Sequence, residues 1–272
     1  LLGELRARAS HRQAAEHVVD SDELAAGAAG AARDAYGEAA YWEKRYAARD
    51  ETFEWLAAFR ELRPALEAHV PKAARVLHLG CGNSTLGVDM YRAGWGRARA
   101  RADPDDAPGG AAPFVLNVDI SAAVIEQMRA RFAAECPTVG WAVDDATTLR
   151  TLADGAVDAI VDKGTLDALA CATDGGDAAK RAGARALVAA AFRVLSPGGA
   201  LVVVSFGQSE TRARYLSGYA GAPPWRSARE AATLRVDAKA VHVYVLRKAG
   251  GAGDGAGASD SAGASDGDGD GD

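Results

Sequence analysis

The segment from Arg75 to Thr85, with the sequence RVLHLGCGNST, constrains the fold of this chain more than any other. Its first half is apolar and predicts a short buried strand. Gly80 and Gly82 follow at once, and the polar pair Asn83 and Ser84 then opens a predicted helix. A strand, a glycine turn and a helix bring main-chain N–H groups and a helix N-terminus up to a nucleotide-like ligand. Because a side chain at either glycine would hold such a ligand away, the turn predicts a binding site.

Taken alone, the glycine turn leaves other interpretations open. The dinucleotide fingerprint needs a third glycine, and this chain has Thr85 in that place. A phosphate-binding P-loop needs a lysine followed by serine or threonine, where Val88 and Asp89 stand. A tight strand-to-helix turn without a ligand is the competing interpretation.

Apolar runs of strand length alternate with segments of helical period along the chain. The predicted strands after the first cover residues 114–119, 139–143, 157–161 and 201–206, and the predicted helices cover 56–69, 84–91, 122–136 and 178–195. Two further segments, 225–236 and 241–247, predict an antiparallel hairpin at a sheet edge. Strands written as continuous apolar runs and separated by helices are typical of a parallel sheet covered on both faces. We therefore predict an α/β fold with a doubly wound, mostly parallel sheet.

Carboxylates stand where the strands after the glycine turn end. Asp119, Asp145 and Asp162 close the second, third and fourth predicted strands. Ligands of parallel sheets bind outside the carboxyl ends of the strands, so these side chains are expected to share one site. A carboxylate after the second strand is placed to accept hydrogen bonds from ribose hydroxyls. Because the turn lacks phosphate-binding features and its surroundings are acidic, a cationic nucleoside without phosphate fits best, and S-adenosylmethionine has these properties.

Aromatic residues crowd the segment that precedes the first strand. A chain that is 7% aromatic has five rings within fifteen residues: Tyr41, Trp42, Tyr46, Phe53 and Trp55. These rings either fill the hydrophobic face of a helix or form a lid over a bound ligand.

Charge, cysteine usage and hydropathy exclude several classes of protein. The net charge of −6 comes from six aspartates in residues 249–272, and without them acidic and basic residues balance at 31 each. This neutral body argues against a nucleic-acid partner, and no apolar run is long enough for a membrane span. Three scattered cysteines and five histidines without ligand spacing predict reduced thiols, a cytoplasmic protein and no metal.

The organisation predicted from these patterns has three parts. Residues 1–37 form an N-terminal helix and linker, 38–248 a single domain with a surface insertion at 94–113, and 249–272 a disordered tail. We expect a monomer. The sequence begins at Leu1, so an upstream segment would be invisible in it.

Four motifs of this chain resemble the seven-β-strand methyltransferases. They are L-G-C-G-N-S at 79–84, V-D-I-S at 118–121, D-K-G-T-L-D-A-L at 162–169 and R-V-L-x-P-G-G at 193–199. More narrowly, D-K-G-T-L-D-A-L and the aromatic leader Y-W-x-x-R-Y resemble the eukaryotic methyltransferase-like proteins that methylate lysines of translation elongation factor 1-alpha. The resemblance covers residues 38–248 and implies a Rossmann-like, seven-stranded fold, S-adenosylmethionine as cofactor and an elongation factor-like protein substrate.

The resemblance also implies a role for each matching residue. Gly80 and Gly82 face the methionine part of the cofactor, Asp119 holds the ribose, and Ile120 lies against the adenine. Asp145 accepts from the adenine amino group, and the N–H of Ala146 reaches a ring nitrogen. Trp42, Tyr46 and Trp55 close over the cofactor. Asp162 and Lys163 line the methyl end, where Asp162 orients the acceptor amine as the catalytic residue, and Arg212 and Tyr215 face the substrate channel.

Three alternatives remain open from the sequence. The chain would be a small-molecule methyltransferase if the acceptor were not a protein. It would be a binding scaffold if the methyltransferase fold were catalytically inactive. An NAD-linked oxidoreductase is the third alternative, but the turn lacks both the third glycine and any pyrophosphate-binding feature.

Overall fold

A computed structural model describes residues 35–96, 115–171 and 176–250 of the chain. A short 3-10 helix covers Ala35–Gly37. The helices are α1 (Ala39–Ala47), α2 (Phe59–His69), α3 (Leu86–Arg92), α4 (Ala122–Phe132), α5 (Thr165–Cys171), α6 (Gly176–Val194) and α7 (Ser209–Leu216). The strands are β1 (Val76–Leu79), β2 (Val115–Asp119), β3 (Val139–Val143), β4 (Val157–Lys163), β5 (Leu195–Ser205), β6 (Trp225–Val236) and β7 (Lys239–Lys248).

The described strands form a seven-stranded sheet in the order β3-β2-β1-β4-β5-β7-β6. The first five strands pair in parallel, whereas β7 runs antiparallel to both β5 and β6. The predicted doubly wound sheet with a C-terminal antiparallel hairpin is confirmed. The strand order reverses between β1 and β4, and ligands of open α/β sheets bind at such a switch point.

Side chains of the central strands pack into hydrophobic layers on the two faces of the sheet. Along β1, Val76 belongs to one layer, while Leu77 and Leu79 belong to the other, and each of these residues is at most 1% exposed. This alternation follows from the two-residue period of a strand. Because both faces are covered, His78 is buried as well, on the layer that faces α1 and the aromatic segment.

Several boundaries differ from the sequence-based predictions. Helix α2 begins at Phe59 rather than at residue 56, because Leu56 has a φ of 67°, which no helix accommodates. Strand β4 continues to Lys163, and β5 begins at Leu195, although its pairing with β4 shifts between Leu195 and Ala200. Helices α5 and α7 were not predicted. Both are short, with seven and eight residues, and give little periodic signal.

Three predicted features lie outside the described residues. They are the N-terminal helix, the arginine- and aspartate-rich insertion apart from its first residues, and the acidic tail after Gly250. The domain boundaries therefore stay predictions. Within the described ranges, every helix is too short or too polar to cross a membrane.

The outer edge of the hairpin side of the sheet is β6. This strand has exposed arginines at 226, 229 and 235, and its register with β7 shifts twice, between Trp225 and Ser227 and between Glu230 and Ala232. Such shifts bend and twist a strand away from a regular ladder.

Candidate active site

A cavity of about 300 Å³ lies at the carboxyl ends of the five parallel strands, on the switch point between β1 and β4. Most of the residues predicted from the sequence to bind cofactor or substrate line it. They are Trp42, Tyr46, Trp55, Gly80, Gly82, Asp119, Ile120, Asp145, Ala146, Lys163 and Arg212. The structure thus gathers into one wall residues that are spread over 170 positions of the sequence, from Trp42 to Arg212. Asp162 and Tyr215 are not part of that wall.

The glycine turn is closed by a main-chain hydrogen bond to β2. Gly80 and Gly82 have φ values of 59° and 49°, a region that disfavours residues with a side chain. A Cβ atom at Gly80 would overlap the side chain of Thr165, and one at Gly82 would overlap the hydroxyl of Tyr46. The N–H of Cys81 donates to the carbonyl of Val118 at 2.9 Å. Both glycines are therefore required by this turn even before a ligand is considered.

Asp119 is fixed at the end of β2 by two main-chain donors. Its Oδ2 accepts from the N–H of Gly82 at 2.8 Å, and its Oδ1 accepts from the N–H of Ser121 at 2.9 Å. Burial raises the pKa of Asp119, and these hydrogen bonds oppose that rise. The side chain of Ser121 then accepts from the N–H of Val124 at 3.3 Å, so Ser121 caps the N-terminus of α4.

The end of β3 contributes two adjacent aspartates with different partners. Asp144 is buried and accepts from the N–H groups of Arg150 at 3.2 Å and Thr151 at 3.0 Å, which closes the following loop. Asp145, the residue predicted to bind the adenine, accepts from the N–H and the hydroxyl of Thr147, both at 2.8 Å. This loop presents Asp145 and Ala146 to the cavity.

Three aromatic rings form the wall opposite the strand ends. Trp42 stacks on Tyr46 with centroids 5.7 Å apart, and Trp55 meets Trp42 edge to face at 6.5 Å. Tyr46 is 5% exposed and also belongs to the hydrophobic core. The rings therefore both pack into the core and line the cavity, and their role as a lid over a bound ligand stays a prediction. Glu43 anchors α1 by accepting from the hydroxyl of Ser121 at 2.6 Å.

A buried ion pair attaches the aromatic segment to the end of β4. The ammonium of Lys163, whose side chain is 2% exposed, donates to Glu54 at 2.8 Å and to the carbonyl of Trp55 at 3.0 Å. The same carboxylate accepts from Ser84 at 2.7 Å and from the N–H of Thr85 at 2.6 Å. Burial alone would raise the pKa of Glu54, but the Lys163 charge and these hydrogen bonds hold it below the ordinary value. Lys163 thus positions Trp55.

The position of Asp162 requires a correction of the sequence-based prediction. The side chain is fully buried, and its carboxylate accepts from the N–H groups of Thr165 at 3.1 Å and Leu166 at 3.2 Å. It therefore caps α5 instead of lining the methyl end of the cavity. Burial, and next the nearby carboxylate of Asp167, raise the pKa of Asp162 to about 7. A direct contact between Asp162 and the acceptor amine does not fit this placement.

Beyond β4, the cavity ends at a cluster that sequence reasoning missed in part. Asp167 accepts from the guanidinium of Arg212 at 2.6 Å and from the hydroxyl of Ser205 at 2.5 Å. Asp167, Arg212 and Phe206 all line the cavity, whereas Tyr215 packs against the hydrophobic layer below and is not in the wall. Arg212 therefore lies in the cavity wall and Tyr215 does not, and the substrate role predicted for Arg212 stays a prediction.

Three residues that line the cavity, His78, Asp167 and Phe206, were not assigned a role from the sequence, and neither was Glu54, the partner of Lys163. Asp167 lies inside the motif D-K-G-T-L-D-A-L, and Glu54 lies between the aromatic residues Phe53 and Trp55, but neither segment indicates which residue each carboxylate pairs with. Phe206 carries no local signal, because it resembles the last apolar residue of a strand.

The cavity wall has more acidic than basic side chains. Glu38, Asp119, Asp144, Asp145 and Asp167 line it, against the cations Lys163 and Arg212, each of which is paired with a carboxylate. Burial, and next the Lys163 charge, lower the pKa of His78 to about 4, so this imidazole is neutral at physiological pH. The described part of the chain has no cluster of His, Cys, Asp and Glu side chains that could hold a metal. The chemistry of this wall suits a cationic ligand without phosphate.

A seven-stranded α/β sheet with a cavity at its switch point is typical of doubly wound folds that bind their ligands there, and family comparison identifies the class of protein. A family profile described as a methyltransferase domain matches residues 71–231. The chain therefore belongs to the methyltransferase-domain family. The matched region begins just before β1 and ends within β6, so it contains all five strand ends that form the cavity.

Curated relatives with similar sequences carry names that refer to elongation factor 1A. A Bos taurus protein named EEF1A lysine methyltransferase 4 is 36% identical over 136 residues, which cover 49% of this chain and 46% of that protein. A Mus musculus protein named eEF1A lysine and N-terminal methyltransferase is 33% identical over 175 residues, which cover 64% of this chain and 22% of that protein. The chain thus matches less than half the length of these relatives. A crystal structure of a SAM-dependent methyltransferase from Methanosarcina mazei aligns with 69% of this chain and 98% of its own at 16% identity and a TM-score of 0.46.

Proposed function

We propose that this protein is an S-adenosylmethionine-dependent methyltransferase that acts on a primary amine of a protein, namely a lysine side chain of elongation factor 1-alpha. The observation that carries the proposal is the acidic cavity at the switch point, whose wall contains ten of the ten residues predicted to bind the cofactor. The substrate is supported by the names of the relatives, which refer to eEF1A lysine methylation. A translation factor as substrate also supports the expectation of a cytoplasmic protein, and we retain the expectation of a monomer.

The residues of the cavity fit S-adenosylmethionine and fit a phosphorylated cofactor poorly. The ligand carries a positive charge, a ribose and an amino acid group, and the wall offers carboxylates in excess of cations. Both cations are already paired with carboxylates, so neither is available to a phosphate. Gly80 and Gly82 would hold the methionine part, Asp119 the ribose, and Asp145 with Ala146 the adenine. Trp42, Tyr46 and Trp55 would cover the bound cofactor and exclude water.

Bound S-adenosylmethionine would supply a methyl group on a cationic sulfur. Transfer of that methyl group to the lone pair of a neutral acceptor nitrogen would break the carbon–sulfur bond, leave a neutral thioether and release one proton from the nitrogen. No oxyanion develops in this reaction. The protein therefore acts mainly by holding the reacting groups in line and keeping them apart from water. The rigid strand ends and the packed aromatic wall provide that alignment.

The acceptor must be neutral before it reacts. Removing a proton from a lysine with a pKa near 10.4 at neutral pH costs roughly 4 to 5 kcal/mol. An uncompensated carboxylate beside the amine would raise this cost, because it favours the charged form. The carboxylate of Asp167 is paired with Arg212, and that of Asp162 is directed at α5, so neither opposes deprotonation as a free charge. A bound cationic sulfur favours the neutral amine, and the proton leaves toward solvent.

Calorimetry followed by methyl transfer tests the proposal. Titration of the protein with S-adenosylmethionine should give a heat of binding, and Asp119→Ala should weaken it because a ribose contact and the closure of the glycine turn are lost. With tritiated S-adenosylmethionine and purified elongation factor 1-alpha, label should enter the protein. Absence of binding would refute the methyltransferase proposal. Label that enters only the small-molecule fraction of a cell extract would indicate the small-molecule alternative, and binding without any transfer would indicate an inactive scaffold.

A further inference from the structure

We infer that Phe206 forms the wall that receives the acceptor side chain, and that this wall suits an aliphatic primary amine. The inference rests on the proposed function and assigns the acceptor end of the same cavity. Phe206 is 39% exposed, which is unusual for a large apolar residue next to a buried strand, and its exposed surface lines the cavity. It follows Ser205, the last residue of β5.

The order of the strands places Phe206 on the acceptor side. The residues proposed for adenine and ribose stand at the ends of β3 and β2, and the glycine turn stands at the end of β1. The sheet continues through β4 to β5, where Lys163 pairs with Val204, two residues before Phe206. Three strand spacings of about 4.8 Å separate β2 from β5, so Phe206 lies roughly 14 Å from the ribose position. The cavity therefore extends past the methionine end, and Phe206 stands in that extension.

The main chain around Phe206 is held by side chains of three different elements. The N–H of Phe206 donates to Asp167 of α5 at 3.0 Å. The next residue, Gly207, donates from its N–H to the hydroxyl of Ser205 at 2.9 Å, and its carbonyl accepts from the hydroxyl of Tyr244 at 2.6 Å. The same serine accepts from the Nε of Arg212 at 2.6 Å. An exposed ring on a main chain fixed in this way is preorganised, which is expected of a binding surface rather than of a loose loop.

The chemistry of this end matches the stem and head of a lysine side chain. An aromatic ring packs well against a methylene stem and attracts an ammonium group on its face. Asp167 supplies a carboxylate that accepts from the main-chain N–H of Phe206, and its pairing with Arg212 keeps that charge from trapping the amine in its protonated form. An acceptor with a carboxylate or phosphate near the reacting atom would instead face an acidic wall. Asp167 is accordingly a positioning residue for Phe206, and Phe206 is the residue that contacts the acceptor.

Two exposed apolar residues at opposite ends of the cavity provide a matched pair for the test. Ile120 is 38% exposed and Phe206 is 39% exposed, and both line the cavity. We expect Phe206→Ala to raise the KM for elongation factor 1-alpha about tenfold, with Phe206→Tyr close to wild type because the ring remains. The affinity for S-adenosylhomocysteine, measured by calorimetry, should be unchanged in Phe206→Ala. Ile120→Ala should show the reverse pattern, with weaker S-adenosylhomocysteine binding and an unaltered acceptor KM.

The outcomes separate this inference from the proposed function. If Phe206→Ala weakens S-adenosylhomocysteine binding as much as Ile120→Ala, or leaves the acceptor KM unchanged, the acceptor wall is elsewhere. Wild-type protein that binds S-adenosylhomocysteine but labels neither elongation factor 1-alpha nor any protein in an extract would refute the acceptor role of Phe206. The proposed binding of the cofactor would be unaffected by that result. A wild type that binds no S-adenosylhomocysteine would remove the proposed function itself, and with it this inference, before any acceptor is added.

Discussion

The two ends of the cavity are built by different means. At the β1 and β2 end, main-chain groups hold the site: Gly80 and Gly82 set the turn, and N–H groups of Gly82 and Ser121 fix Asp119. At the β4 and β5 end, two ion pairs between side chains hold it, Lys163 with Glu54 and Arg212 with Asp167. The difference shows that one half of the site depends on main-chain geometry, while the other depends on the pairing of particular charged side chains.

The largest effect is expected from a change that breaks the main-chain end. Gly80→Ala places a Cβ against the side chain of Thr165 at a φ of 59°. The left-handed conformation and the overlap together should lower the free energy of unfolding by about 2 to 5 kcal/mol and abolish cofactor binding. Denaturant unfolding and calorimetry measure the two effects.

Gly221→Ala is the matched control for that change. Gly221 also has a positive φ, 82°, but a Cβ there would meet nothing within 4 Å, and the residue does not line the cavity. It should cost about 1 to 2 kcal/mol of stability and leave binding intact. Equal effects of both substitutions would mean that the turn is strained but not required by the ligand.

An intermediate effect is expected from a change that breaks the ion-pair end. Glu54→Gln leaves the buried Lys163 ammonium without a negative partner, which should lower the free energy of unfolding by about 3 kcal/mol. Trp55, whose carbonyl shares the same ammonium, should shift position and change the tryptophan fluorescence. Combining Glu54→Gln with Lys163→Met should recover part of the lost stability, because the uncompensated charge is then removed.

The exposed pair of Glu135 and Arg92 provides the control for the buried pair. The same change of glutamate to glutamine at Glu135 removes a hydrogen-bonded partner of Arg92 at the surface. It should leave the free energy of unfolding nearly unchanged, because exposed pairs contribute little. If Glu54→Gln lowered the free energy of unfolding as little as Glu135→Gln does, the buried pair would stabilise the protein no more than an exposed pair. The contrast between the two ends of the cavity would then be wrong.

A pH-dependent effect is expected at Asp162, which belongs to the β4 end but is held by main-chain donors, as Asp119 is. Its pKa is about 7 in the folded protein against an ordinary value of 3.8. The folded state therefore binds more protons than the unfolded state between about pH 4 and pH 7, and stability falls as the pH rises through that interval. Because Asp162→Asn has no proton to lose, its free energy of unfolding should not change with this titration. The difference in free energy of unfolding between wild type and variant should therefore shrink as the pH rises from about 4 to about 7. Denaturant unfolding at several pH values checks this, and parallel curves would contradict the raised pKa.

Sequence reasoning reached the main-chain half of the site because its signals are local. Strand β3 was predicted as residues 139–143 and is found there, and the cap of α4 by Ser121 follows from residue type and spacing. The carboxyl ends of parallel strands must meet at one edge of the sheet, so the convergence of Asp119 and Asp145 also followed from the pattern.

The ion pairs at the β4 and β5 end could not be predicted from the sequence, for a physical reason. Glu54 and Lys163 are 109 positions apart, and Asp167 and Arg212 are 45 apart, and nothing local specifies which charges will pair. Asp162 was assigned to the cavity because it follows an apolar run, but β4 continues for two more residues, and Gly164 then lets α5 begin directly above its carboxylate. The direction of the Asp162 side chain at the strand end is therefore set by the free N–H groups at the start of α5, which it caps.

The outermost strand, β6, bears on how this protein behaves at high concentration. A free strand edge offers its unpaired main-chain groups to any other extended chain, and a long regular edge invites stacking of one molecule on the next. Here arginines at 226, 229 and 235 point charge into solvent along that edge, and two register shifts interrupt its ladder. The positive charges of neighbouring copies would therefore repel each other, and the irregular edge would pair poorly with another strand. We expect both features to disfavour fibre-like aggregation in concentrated solutions of the protein.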